Sequence, residues 1–348
     1  MVTERELYRA AISMEEIERP AVTSLTLITQ EMFMKTGISP VNLFDNWKGL
    51  AQLAKFGHDE YGFDSCEIFN IWSHVEYLGG VVDYTADQPY VKTPIYTLND
   101  EFKEMDMDKY LEFHKTQTSI KGVQELRRLA GEDTAVNCIN SWGPLTSAGH
   151  LIGTEQVMIS MAMEPEELKR LIKYVSDFNK EAYRIELENG QAECLDTISM
   201  AEPSATGDMI SSDMFEEFVL PYVAQEHKVM HECGLKTMLH ICGNTTANLP
   251  VMIKCGSDAI SVEQTVDPYE IVKVADNKVC MFGNIGPVKP LWQGNAADVK
   301  KDVERSIDAG FRMIAPGCSF VPMTPGENIK AMTQAVKESK KRFEKGKN

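Results

Sequence analysis

Basic residues are scarce in this 348-residue chain, and long apolar runs are missing altogether. Thirty-five Lys and Arg face 52 Asp and Glu, a formal charge of −17. A field of that sign repels phosphate backbones and anionic lipid surfaces, so no nucleic acid is expected as a partner. The acidic balance serves solubility, or docking onto a less acidic protein. No stretch of about 18 apolar residues is present to span a bilayer, so no membrane partner is expected. The opening MVTERELYRA carries charges every few residues and lacks the apolar core of a secretory signal. The expected location is cytoplasmic. The eight cysteines are scattered rather than spaced as a disulfide framework, which makes them core thiols or metal ligands. The phosphate loop, the G-x-G-x-x-G dinucleotide turn and the G-x-S-x-G nucleophile elbow are all missing, and there is no internal repeat.

What is present is an ordinary globular composition, 43% hydrophobic and 25% charged, sufficient for a large core. Short apolar runs alternate with longer amphipathic segments, the pattern of successive β-α units feeding a parallel sheet. The expected strands are Pro20–Leu27, Cys66–Ile71, Ala135–Asn140, Leu195–Met200, Lys236–Ile241, Ala259–Glu263, Val279–Gly283 and Arg312–Ala315. Eight is the number that closes a (β/α)8 TIM barrel, and residues 1–348 are read as one such α/β catalytic domain. Helical periodicity is clearest over Glu166–Glu188, Ser212–Cys233, Ala296–Ala309 and Gly326–Phe343. Ser212 is placed to cap the second of these, while Gly234 and Gly310 follow helix ends. Residues 77–115 hold Pro89, Pro94 and several aromatics with little period before Asp100, and read as an insertion or lid over the barrel mouth. The basic end Lys337–Asn348 reads as a solvated helix end that frays. Methionines such as Met158, Met161 and Met163 read as adaptable core.

The chemistry concentrates in Leu239-His240-Ile241-Cys242-Gly243-Asn244, which closes a strand and opens a turn. Alternate side chains of a strand share a face, so His240 and Cys242 point the same way and can chelate one ion. Imidazole beside thiolate selects zinc over magnesium or calcium. Taken alone, H-x-C is more often a core histidine beside a buried thiol. Ala315-Pro316-Gly317-Cys318, however, ends the last strand at the same mouth. One His and two Cys match the protein ligand set of catalytic zinc, which keeps a fourth position open. Glu263, ending the sixth strand, is the first candidate for that position, where it would yield to an incoming thiol; otherwise it is a rim glutamate. Glu202, after the fourth strand, is the second candidate. Asn244 and Asn284, with Gly243 and Gly283, follow strand ends and either shape a cofactor surface or serve as turns. His231, Cys233 and Cys255 fall at the opposite end as packing residues, and Cys66, Cys138, Cys194 and Cys280 read as small buried hydrophobes.

These motifs resemble the uroporphyrinogen decarboxylase superfamily and, within it, the methylcobamide:coenzyme M methyltransferases. The resemblance is carried by Leu239-His240-Ile241-Cys242-Gly243-Asn244, Ser261-Val262-Glu263, Gly283-Asn284, Ala315-Pro316-Gly317-Cys318, Pro322-Met323-Thr324-Pro325 and Glu327-Asn328. It is close from about Asp196 to Lys337 and looser over residues 1–190. It implies zinc on His240, Cys242 and Cys318 with Glu263 at the open site. The zinc would bind an acceptor thiol as its thiolate, which attacks a methyl group on the cobalt of a corrinoid such as methylcobalamin. Coenzyme M is the first acceptor implied, which would place the chain in the one-carbon metabolism of methanogenesis. The cobalt-ligating D-x-H-x-x-G motif does not occur, so a corrinoid would arrive on a separate binding protein, and a carrier role for this chain is disfavoured. Corrinoid-linked demethylases of the superfamily use the same ligands on a methyl donor such as an aryl methyl ether, delivering the methyl to cob(I)alamin. Porphyrin decarboxylation is less expected, because Arg19-Pro20 leads into Val22–Gln30 without the arginines that grip porphyrin carboxylates.

Overall fold

The computed structural model describes residues 2–84, 89–92 and 94–347. Among them eight parallel strands form one sheet: β1 (Ala21–Val22), β2 (Ser65–Phe69), β3 (Ala135–Trp142), β4 (Thr197–Ala201), β5 (Lys236–His240), β6 (Ala259–Val262), β7 (Cys280–Ile285) and β8 (Met313–Pro316). Consecutive strands pair from β2 to β8, and β8 pairs with β1. The remaining seam, between β1 and β2, is bridged by Asp64. Its N–H donates to the Val22 carbonyl, while its carboxylate accepts from the Val22 N–H, each at 2.8 Å. The expected TIM barrel is the fold found.

Period-two alternation along the strands separates two apolar layers. Val22, Cys66, Ile68, Val136, Cys138, Ile198, Leu239 and Ile260 pack against the surrounding helices. Ala21, Ala135, Met238, Ala259, Phe282 and Met313 face inward, where Leu7, Tyr8, Ala11 and Ile12 of the first helix (Glu4–Ile12) join them. Tyr8 reaches Thr197 at the start of β4, at 2.8 Å, so this helix plugs the N-terminal end. The C-terminal end stays open for chemistry, as in other barrels of this type.

Several expected boundaries are corrected. The first strand is two residues long, not Pro20–Leu27, because Thr23 and Ser24 turn to the buried Glu67 carboxylate, Thr23 Oγ1 at 2.8 Å. The expected helix Ser212–Cys233 breaks at Val219 into Ser212–Phe218 and Leu220–Glu232, where Pro221 has no N–H for a continuous helix. Its cap is Ser211, which accepts from Met214 N–H at 3.2 Å, whereas Ser212 donates to the Ala247 carbonyl. The last helix ends at Lys337 rather than Phe343. The tail beyond it does not fray: Phe343 is buried and exchanges two 3.0 Å backbone hydrogen bonds with Ile17, while Arg312 holds the Glu344 carbonyl at 3.0 Å. Met163 is exposed and Cys194 half-buried, so neither is core.

The segment 77–115 leaves the C-terminal end of β2. It contains an antiparallel pair, Val81–Asp83 with Tyr90–Lys92, and a helix, Met107–Glu112. Residues 85–88 and 93 of that segment lie outside the described residues. Among the described residues no helix is long and apolar enough to cross a membrane.

Candidate metal centre

Three strand ends assemble the centre. His240 is the last residue of β5, in register with Ser261 of β6, and its Nδ1 shares a 2.9 Å hydrogen bond with the Ser261 hydroxyl. That bond fixes the ring and turns Nε2 toward Cys242 Sγ, 3.0 Å away. Cys318, two residues beyond β8, lies with its Sγ 3.5 Å from that of Cys242. The candidate ligand atoms of His240, Cys242 and Cys318 all fall within 4.8 Å of one another. Two sulfurs about 2.3 Å from a tetrahedral zinc lie roughly 3.8 Å apart, so the three atoms fit one such ion with small adjustment. Among the described residues no other group of three or more His, Cys, Asp or Glu converges in this way.

Two glycines permit the approach. Gly317 presses on the backbone of Glu263 and Gln264, where a Cβ would come within 2.9 Å, and this contact carries the β8 end across to the β6 end. Gly243 has φ +75°, and a Cβ there would stand 2.7 Å from Thr206 Oγ1. Turning the chain at that point releases Cys242 from the strand.

The two thiols are within hydrogen-bond reach of each other. Their contact, together with the nearby His240, lowers the Cys318 thiol below the ordinary thiol range against the opposing effect of burial. Cys242, hydrogen-bonded to that sulfur and buried, is correspondingly held up. A sulfur pair in which one thiolate is favoured suits a divalent ion.

Glu263 follows β6 on the rim, half-buried and close enough to Cys318 and Cys242 for their charges to act on it. Burial raises its carboxyl above the usual value, while the Gly243 N–H, donating to it, and the nearby His240 oppose the rise. It stands outside the tight group of three. Glu202 is engaged elsewhere. Fully buried, it accepts from Leu145 N–H at 3.0 Å and Thr146 N–H at 2.6 Å, at the start of the helix Pro144–Ile152. Burial pushes its carboxyl up to about 7 against the Thr146 and Leu145 bonds.

Asn284 is buried, and its amide ties the metal-side loops to the fold: Nδ2 donates to the Val266 carbonyl at 3.0 Å, and Oδ1 accepts from Ser306 at 3.1 Å. Asn244 is exposed and closes its own turn, accepting from Thr246 N–H at 3.1 Å. His231 pairs with Asp258 at 2.7 Å below β6, at the opposite end of the barrel as expected.

The sequence reading missed the other half of the mouth. A cavity of about 310 Å³ lies between the ends of β1, β2, β3 and β8. Its walls include Phe44, Phe69, Tyr84, Trp142, Ser319 and Phe320. Trp142 packs with Trp72 and His150 at centroid distances of 5.2 Å each, and burial lowers His150 to about 4, keeping it neutral. The aromatic-rich stretch around residues 69–84 was the available signal, but its residues lack the period that assigns a face.

The sequence pattern of the family described as Uroporphyrinogen decarboxylase (URO-D) matches residues 3–339. A methylcobamide:CoM methyltransferase MtbA of Methanosarcina mazei is 30% identical over 336 residues, covering 95% of this chain and 96% of that protein. Its counterpart in Methanosarcina acetivorans is 29% identical over 341 residues, covering 96% and 97%. A solved structure described as a methyltransferase from Methanosarcina mazei superposes with a TM-score of 0.87 at 23% identity, covering 97% of this chain and 99% of that one. At that identity the superposition speaks to the fold, and the fold is the same.

Proposed function

The chain belongs to the uroporphyrinogen decarboxylase family, and on that premise we propose that it is a zinc-dependent methyltransferase. It would move a methyl group between a corrinoid on a partner protein and a small thiol, as one catalytic unit in the cytoplasm. The observation that carries this reading is the convergence of His240, Cys242 and Cys318 from two strand ends at the open barrel mouth. Coenzyme M is the acceptor printed in the names of the relatives at 29–30% identity and the first to assay.

Bound there, zinc would act as a Lewis acid that strips the proton from a coordinated thiol near neutral pH. The rest is done by the chain. Ser261 orients His240; Gly317 and Gly243 bring the two cysteines together; Glu263, on the rim, would be the residue to take the open position and yield it to a thiol. Asn284 fixes the loop that carries Glu263, and Asn244 is exposed on the rim where a corrinoid would approach. The antiparallel pair Val81–Asp83 with Tyr90–Lys92 would serve as a lid. Large exposed apolar side chains, Met34, Val41, Met209, Val288 and Met323, sit on connections leaving the C-terminal strand ends, a suitable seat for the corrinoid protein.

A second reading, transfer from an uncharged methyl donor such as an aryl methyl ether to cobalt, is favoured by the aromatic walls of the adjoining cavity. One assay separates them. Zinc-loaded protein is incubated with methylcob(III)alamin and a panel of thiols, and the cobalamin spectrum is followed. Thiol-dependent demethylation that disappears in Cys318→Ser supports the first reading. Inertness toward every thiol, with methylation of cob(I)alamin by an ether, establishes the second.

A further inference from the structure

The cavity beside the centre is built without positive charge. None of its lining residues is Lys, Arg or His; the one ionisable acid among them, Asp45, is already paired with Lys115 at 2.8 Å. Residues 85–88 and 93, outside the described set, contain no basic residue either. Lys115 itself is spent: its ammonium lies 4.3 Å from the centre of the Tyr84 ring and 3.8 Å from Glu76, whose carboxylate also accepts from the Tyr84 hydroxyl at 2.9 Å. On the metal side an ion held by His240, Cys242 and Cys318 would have its charge balanced by the two thiolates. Glu263 stands near the cysteines and Asp208 near Glu263, and Asp208 accepts from Asn244 N–H at 3.0 Å.

The donors that remain on its walls are neutral, the side chains of Thr26, Asn42 and Ser319. Ser319, exposed on the same wall, follows Cys318 directly in the chain, so the cavity begins beside the metal ligands. An anion entering such a space loses hydration and meets no counter-charge, which is a large penalty. An apolar ring or branched chain gains contact with six aromatic side chains, Phe33, Phe44, Phe69, Tyr84, Trp142 and Phe320.

We propose that this cavity receives an uncharged, largely apolar tail of about aromatic size, and that the chain selects against anionic thiols. For its thiol arm the proposal rests on the metal reading given above. It separates the acceptor of this chain from a sulfonate thiol such as coenzyme M. Charge distinguishes the two classes at the same sulfur.

The test has two arms. In the first, calorimetric Kd values are measured on zinc-loaded protein for 2-phenylethanethiol, 2-mercaptoethanol, cysteamine and 2-mercaptoethanesulfonate. In the second, metal-stripped protein is titrated with 2-phenylethanol and with 2-phenylethanesulfonate, which probe the cavity without any sulfur ligand. The neutral aromatic ligand should bind at least about tenfold tighter than the sulfonate in both arms. Ser319→Arg, on an exposed wall position, should narrow or reverse that ratio. Equal or tighter binding of the sulfonates in the second arm overturns the proposal, as does a preference for cysteamine over 2-phenylethanethiol. If no thiol binds in the first arm while the second keeps its preference, the metal reading fails and the cavity assignment stands.

Discussion

Glu67→Gln isolates the cost of an acid kept inside the barrel. Glu67 is buried on β2 at the β1–β2 seam, where it accepts from Thr23 Oγ1 at 2.8 Å and Ser24 N–H at 3.3 Å, and also from Ser65 Oγ. Burial dominates these bonds and pushes the carboxyl from 4.5 up to about 7. A carboxyl raised in the folded state favours folding most when protonated. Its contribution is complete below the unfolded value and is lost as pH rises through about 7. At about 1.4 kcal/mol per pH unit, that loss amounts to roughly 3 kcal/mol by pH 8. Glutamine keeps the acceptor oxygen and cannot ionise. Urea unfolding at pH 5 should therefore find the variant within about 1 kcal/mol of the parent, and at pH 8 the variant should be the more stable by up to roughly 3 kcal/mol. Glu202, also held near 7 by burial, titrates in both proteins and cancels from the difference. A stability difference that stays constant from pH 5 to pH 8 would refute the reasoning.

Three further outcomes follow from the geometry. Purified protein should bind about one zinc per chain, and the double replacement Cys242→Ser with Cys318→Ser should abolish it; full occupancy in that variant would move the site elsewhere. Glu263→Gln should keep most of its zinc while changing turnover or thiol affinity, and metal loss as complete as in Cys242→Ser would make Glu263 a permanent ligand. Phe343→Ala should cost about 3 kcal/mol of stability in denaturant titration, since the ring is buried against Ile17 and lies 5.2 Å from the Arg312 guanidinium. An unchanged midpoint would return the tail to solvent.

Much of the barrel was legible because its strands are short apolar runs separated by periodic helices. From β5 onward the strands lie within two residues of the expected positions. The errors share one cause, side-chain and tertiary contacts overriding local pattern. β1 stops where Thr23 and Ser24 find Glu67. The tail is basic and looks solvated, yet one aromatic, Phe343, anchors it through Ile17, more than 300 residues away in sequence. Pro221 was visible, but the apolar period runs across it and hid the break at Val219.

The metal centre and the cavity beside it differ in how their information is stored. His240 ends β5 and Cys242 follows two residues on, and read as a strand that spacing puts both on one face. Cys318 needed only the further assumption that strand ends share one mouth. Glu202 satisfied that same assumption and is nevertheless bound to the start of a neighbouring helix. Strand-end position therefore selects candidates but does not say which way an acid turns. The cavity has no such spacing rule. Its aromatic walls come from the ends of β1, β2, β3 and β8 and from the hairpin beyond β2, and no two of those segments predict each other. What the sequence does carry about it is a lack: from Thr23 to Ile28, and again from Phe69 to Tyr84, there is no Lys or Arg. Once the fold sets these stretches around one space, that shortage becomes a statement about charge. A mouth able to hold zinc on one side and lacking a cation on the other is suited to a ligand that brings a sulfur or oxygen to the metal and nothing ionised behind it.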